Sequence, residues 1–207
     1  GRNSKYNNNY FLARAIKYDL SKLDTSQITN MSNIFTNRNF NGDISNWDVS
    51  NVTDMSCMFI YAFNFNCNIN SWNVSKVTNM GSLFAHAKKF NKPLNNWDVS
   101  NVTNMTRMFC LTKEFNQTLN NWDVSIVTDM RKMFHNALKF NQPLDNWNVS
   151  NVTSMSQMFE DAKSFNQALN NWDVSNVTNM SYMFQEAKEF NQPLNNWDVS
   201  NIIGIRG

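Results

Sequence analysis

Along residues 94–118 the apolar and polar side chains keep one step and then change to another. In "LNNWDVS" the apolar Trp97 and Val99 alternate with the polar Asp98 and Ser100, the two-residue step of a half-buried strand. "NVTNM" reads as a turn, with Thr103 placed to cap the segment after it. The apolar places then fall at helical spacing, most cleanly at Met180, Met183, Phe184 and Ala187, which is i, i+3, i+4, i+7. "EFNQP" returns the chain, and Pro93 or Pro193 suits a strand entry. The pattern predicts strand, turn, short helix and return loop. Its apolar places are Leu94, Trp97, Val99, Val102, Met105, Met108, Phe109, the place of Leu111 or Ala187, and Phe115.

Two turns of helix are marginal alone, so one such unit needs neighbours. The chain supplies them. Trp47, Trp72, Trp97, Trp122, Trp147, Trp172 and Trp197 lie 25 residues apart and are all the tryptophans of the chain. A fixed period of this size means one supersecondary unit stacked on itself. "LSKLDTSQITNM" (20–31) starts the series with Leu23 in the tryptophan place, one residue short through a deletion between Phe35 and Phe40. The tryptophans are read as structural core, because aromatic stripes at structural spacing pack. Upstream, "NNNYFLARAIKYDL" (7–20) predicts an amphipathic cap that buries Phe11, Leu12, Ala15 and Ile16.

The long pattern W-D-V-S-N-V-T-N-M-S-x-M-F-x-x-A-x-x-F-N-Q-P-L resembles the BspA-like leucine-rich-repeat surface proteins, in particular their 25-residue mycoplasma-type surface repeat, over about residues 20–203. The resemblance implies a leucine-rich-repeat-like solenoid, a cell-surface or extracellular location, and adhesion or partner binding without catalysis. One place departs from the usual line L-x-x-L-x-L-x-x-N-x-L. Leu94, Trp97 and Val99 match its apolar places, but Val102 stands where its Asn would be. The expected fold is an α/β solenoid: a leucine-rich-repeat-like right-handed stack of strand–turn–short helix units with an N-terminal capping helix. Its parts are the cap (1–19), the repeats (20–203, about seven units plus a final strand) and a tail (204–207).

Composition narrows the function. A net charge of +2 over 207 residues is not the basic excess of a nucleic-acid binder. No apolar run approaches the ~18 residues of a membrane span. Cys57, Cys67 and Cys110 occupy three different places in the repeat and read as ordinary thiols, neither a disulfide framework nor a zinc site. His86 and His135 sit at variable places with no nucleophile paired to a base, so no catalytic residue, metal or cofactor is expected. The start "GRNSKYNNNY" reads as that of a mature or excised fragment.

The repeat offers two candidate binding faces. If Trp and Val point inward, the outward strand face carries Asn96, Asp98, Ser100, Asn121, Asp123, Asn148, Asp173 and Asp198. This column reads as a solvated face with some Asp bonded to turn amides, as a divalent-cation ladder, or as a groove for a polar partner. The recurrent Asn41, Asn66, Asn91 and Asn116 read as a buried amide ladder, and Ser50, Ser75 and Ser100 as turn bonds. Recognition needs variation between copies, and the helix face has it, with Arg107, Arg131, Lys132, His135 and Tyr182 as its candidates. Lys88, Lys113, Lys163 and Lys188 form a column expected at helix ends.

The functional expectation is a non-enzymatic scaffold for a protein or glycan partner at a surface. The alternative is a building block that self-assembles through its C-terminal rung, where Ile202, Ile203 and Ile205 need cover and a tail-to-tail dimer would close the edge.

Overall fold

The computed structural model describes residues 20–36 and 39–203. The predicted cap over 1–19 and the tail 204–207, with Ile205, lie outside the described residues. Successive copies lie side by side, joined by one parallel bridge each: Asn30 to Asp54, then on to Asn79, Asn104, Asp129, Ser154 and Asn179. The bridge does not fall on Trp-Asp-Val-Ser, where the alternation predicts a strand. There the chain closes two tight turns instead. The Trp97 amide donates to the Leu94 carbonyl at 3.1 Å, and the Val102 amide to the Val99 carbonyl at 2.9 Å. Side chains still alternate between core and water across these turns, which is the feature the period-two pattern detects.

The expected short helix is also replaced. From Met80 to Ala87 the amides take two directions. Those of Met80, Ser82, Phe84 and His86 donate across to Asn104, Thr106, Met108 and Cys110 of the next copy, at 2.7–3.0 Å. Those of Leu83, Ala85 and Ala87 close turns onto the carbonyl three residues back. The Gly81 amide donates to Asn79 Oδ1 at 3.1 Å. All eight amides are therefore paired, whereas an α-helix of that length leaves its first four without partners. Ser82 and His86, the third residues of two successive turns, take φ of 56° and 62°. A turn that repeats every four residues puts apolar side chains at i, i+3, i+4 and i+7, so it mimics the helical pattern. Among the described residues the only helical segment is the 3-10 turn Leu20–Lys22. Thr103 caps nothing; its amide and hydroxyl both reach the Thr78 carbonyl of the preceding copy, at 3.0 and 3.3 Å. Lys88 has no helix end to serve, and its ammonium lies 4.8 Å from the centre of the Phe63 ring.

Tryptophan supplies a second tie between copies. Trp122 Nε1 donates to the Leu94 carbonyl of the preceding copy at 3.1 Å. That carbonyl already accepts the Trp97 amide, so both of its lone pairs are used. The same bond recurs from Trp47 to Trp197 at 2.9–3.1 Å. The rings behind it stack continuously. Phe84, Phe109, Phe134, Phe159 and Phe184 succeed one another at 5.6–5.7 Å between centroids, and Trp97 lies parallel to Trp122 at 6.5 Å.

The recurrent Asn is not a buried ladder. It sits at or near the surface and its side chain serves the next copy's backbone: Asn91 Oδ1 accepts the Asn116 amide at 3.0 Å, and Asn116 Oδ1 accepts the Asn141 amide at 2.9 Å. Leu111 is not a core place either. It stands at a turn with φ 58°, while Thr112 takes the buried alanine column and donates its hydroxyl to the Phe84 carbonyl at 2.8 Å. In the last copy Trp197 and Leu194 are half-buried and Val199 is exposed, because among the described residues a copy covers them on one side only. Ile202 and Ile203 take the path of Val177 and Thr178, and the Ile203 amide donates to the Thr178 carbonyl at 2.9 Å.

Trp122→Ala should cost roughly 3–5 kcal/mol, the usual loss for a large buried aromatic. Asn121→Ala, on an exposed side chain, should cost less than about 0.5 kcal/mol. Equal shifts of the two variants in denaturant melts would refute this division into inner and outer positions.

Candidate binding groove

The turn segments place two side chains per copy in the left-handed backbone region. The first column is Cys57, Ser82, Arg107, Lys132, Gln157 and Tyr182; the second is Tyr61, His86, Leu111, Asn136, Asp161 and Glu186. Glycine takes this conformation without steric cost, and an ordinary side chain pays about 1–2 kcal/mol. The two columns hold none of the five glycines of the chain. These columns differ from copy to copy, as does the column between them (Ile60, Ala85, Cys110, His135, Glu160 and Gln185), whose members do not take a positive φ.

The first column lines a groove of about 700 Å³ that crosses five copies, from Cys57 through Ser82, Arg107 and Lys132 to Gln157. Hydroxyls and amides, among them Asn79, Asn104 and Thr106, supply most of its other surface. A second hollow of about 240 Å³ lies on the far side of the column, lined by Tyr61, His86, Cys110, Leu111 and His135. Ser82, Arg107 and Lys132 border both. They form the ridge between.

Charge on this ridge is uneven. Arg131 is held by Asp129 in a fork, Nε to Oδ1 at 2.9 Å and Nη2 to Oδ2 at 2.6 Å. Burial raises the Asp129 carboxyl, but the bonds from Arg131 and the charge beside it outweigh that and hold it below the usual range. Arg107 and Lys132 form no ion pair among the described residues, and they stand in adjacent copies. The backbone step between neighbours is ~4.8 Å, so unit charges at that separation would repel by about 1 kcal/mol even in water. Burial lowers the His86 pKa, and the charges of Lys88, His135 and Arg107 lower it further. His135 Nδ1 lies 3.0 Å from Glu160 Oε2, within ion-pair reach but off the line of a hydrogen bond. Burial pushes the Cys110 thiol up to about 11, away from nucleophilic chemistry.

Of the sequence-predicted residues, the structure brings Arg107, Arg131 and Lys132 into the groove and His135 into the hollow behind it. Tyr182 belongs to the same column but borders neither. Asn96, Asp98, Ser100, Asn121, Asp123, Asn148, Asp173 and Asp198 line neither space. Most are committed to turns. Asp98 Oδ1 accepts the Ser100 amide at 3.1 Å and the Ser100 hydroxyl at 2.6 Å, and Asp173 and Asn148 hold the Ser175 and Ser150 amides in the same way. Among the described residues no three His, Cys, Asp or Glu gather as a metal site would need. Sequence reasoning missed Asn79, Asn104 and Asp129. Their signal was a polar residue before each buried Met, which recurs because its Oδ1 accepts the amide two residues on, as Asn104 does from Thr106 at 3.0 Å.

A wall made from one position of each of five successive copies defines a repeat protein with a variable groove. The chain belongs to the family described as "Mycoplasma protein of unknown function, DUF285", which matches residues 5–122 and 103–206. No curated protein matches it. Among the described residues no helix is long and apolar enough to cross a membrane.

The turn carboxylates give the fold an acid limit. The Ser125 hydroxyl and amide hold Asp123 below its ordinary pKa, and Asp173 and Asp198 are lowered through the same kind of bonds to Ser175 and Ser200. A carboxylate whose pKa is lower folded than unfolded stabilises the fold above its unfolded pKa, and that contribution is lost as pH falls through the folded value. The melting temperature should therefore drop as pH falls below about 4. Asp123→Asn, which can keep the turn as Asn148 does, should drop less steeply. Identical slopes for the two proteins would refute the assignment.

Proposed function

We propose that the chain is a non-enzymatic binding scaffold, a leucine-rich-repeat-like right-handed solenoid of the BspA-like type, that presents its groove to a protein or glycan at a cell surface. One observation carries this reading. Ordinary side chains occupy backbone positions that glycine would fill with less strain, and they do so where the copies differ. The turns require the left-handed conformation at these positions in every copy, but they do not dictate the side chain, and no copy uses glycine there. A core would repeat its residues from copy to copy, as the Trp and Phe columns do; a recognition surface would vary them, as the groove column does. The resemblance to surface repeats supports the location and the adhesive role. The raised Cys110 pKa and the commitment of the acidic column to turns favour binding over catalysis.

The test separates folding from binding. Arg107→Gly with Lys132→Gly should leave the melting temperature unchanged or raised, since glycine relieves about 1 kcal/mol of strain at each site. The double variant should lose capture of surface glycans and proteins arrayed as a panel. Asn96→Ala with Asn121→Ala, outside the groove, should keep it. Capture that survives the groove variant, or that falls equally in both variants, overturns the reading.

A further inference from the structure

We infer that the groove binds a linear anionic polysaccharide, one whose sugars carry carboxylate or sulfate groups. This deepens the binding-scaffold reading and rests on it. The lining of the groove selects the class. Thirteen residues form it, and apart from Cys57 and Gly81 all carry a hydroxyl, an amide or a charge. A peptide helix held by apolar anchors would need apolar pockets, and the groove offers none. A single-stranded nucleic acid would need rings on which its bases stack, and no aromatic side chain lines the groove. A sugar chain needs what is present: side-chain amides and hydroxyls for its hydroxyl groups.

The charges select an anion among sugars. Arg131 is neutralised by Asp129, so the uncompensated cations are Arg107 and Lys132. They stand at the same position of adjacent copies and border both the groove and the hollow behind it. Two cations carried on backbone positions one copy apart (φ 58° and 57°) give a polyanion two contacts in succession. The period of the stack then matches the nature of the ligand. A polymer with a regular anionic group can meet one copy after another, and the groove runs across the copies rather than along one of them. Ser82 and Gln157, the neutral members on either side, mark the present ends of the cationic row.

The test uses the intact chain and four probes: polygalacturonate, chondroitin sulfate, neutral dextran and a thymidine oligonucleotide. The chain should bind one or both anionic glycans, more weakly as salt is raised, because the exposed charges are screened. Arg107→Gly and Lys132→Gly should each weaken binding about tenfold, the loss of one charge-assisted contact. Gln157→Lys, which extends the cationic row by one copy, should tighten it. Preference between the two anionic glycans assigns carboxylate or sulfate. Equal binding of dextran, tighter binding of the oligonucleotide, or anionic binding indifferent to all three variants overturns the inference and leaves the scaffold reading to the wider panel. Binding of none of the four overturns it too, and the scaffold reading then falls only if the panel of surface glycans and proteins is also silent.

Discussion

The structure depends on where the backbone amides of the turn segment point. In the copies from Met55 to Ala162, alternate amides between the buried Met and the buried Ala or Thr cross to carbonyls of the next copy, and others close turns at home. Every other feature derives from that division. A segment that sends half of its amides outward cannot be a helix, and it has no stability without the neighbour that accepts them. The interior then fills with one residue type per column, because the columns advance by one copy at each step. The Trp indole adds the matching tie on the opposite side by taking the second lone pair of a carbonyl already in use.

The same division creates the groove. Turns that repeat every four residues need a left-handed residue in each, and its side chain is thrown away from the core. The architecture thus provides two outward columns per copy at fixed spacing, and leaves their chemistry free. Many Asn, Ser and Thr at the other surface positions are not free in this sense. Their oxygens and amides hold the next copy or the local turn, as Asn91 holds Asn116 and Asp98 holds Ser100. Repetition therefore marks structural duty in this chain, and variation marks positions whose side chains the stack does not dictate.

Much of this is legible in the residues alone. The tryptophan ruler locates the copies, and the apolar columns pick out side chains that are buried from Trp47 to Trp172. Variation singles out Arg107, Arg131, Lys132 and His135, and the structure gathers them. The secondary structure is not legible, for a physical reason. Hydrophobic spacing reports which way side chains face, and a four-residue turn repeat faces them almost as a 3.6-residue helix does. What separates the two is the direction of the amides, which depends on a partner in the next copy, as Met80 depends on Asn104. The same gap misplaces Leu111. Its apolar character suggests the core, but the turn geometry directs its position outward and gives the buried place to Thr112. The acidic column reads in part as Asp bonded to turn amides, and Asp98, Asp123, Asp173 and Asp198 make those bonds to the Ser amides two residues on.

The deletion in the first copy shows what the stack tolerates. One residue is missing between Phe35 and Phe40, yet Asn30 still bridges Asp54 and the Phe35 ring still lies 5.6 Å from Phe59. The missing residue falls in the stretch that corresponds to Ile60–Asn64 of the next copy, and the ties on either side of it are kept. Each copy meets its neighbours through contacts that are nearly the same at every junction. A whole copy could therefore be gained or lost by recombination within the gene without disturbing any joint, and the groove would simply become longer or shorter. Reach and charge pattern could then be adjusted in units of one copy, with the fold left as it was.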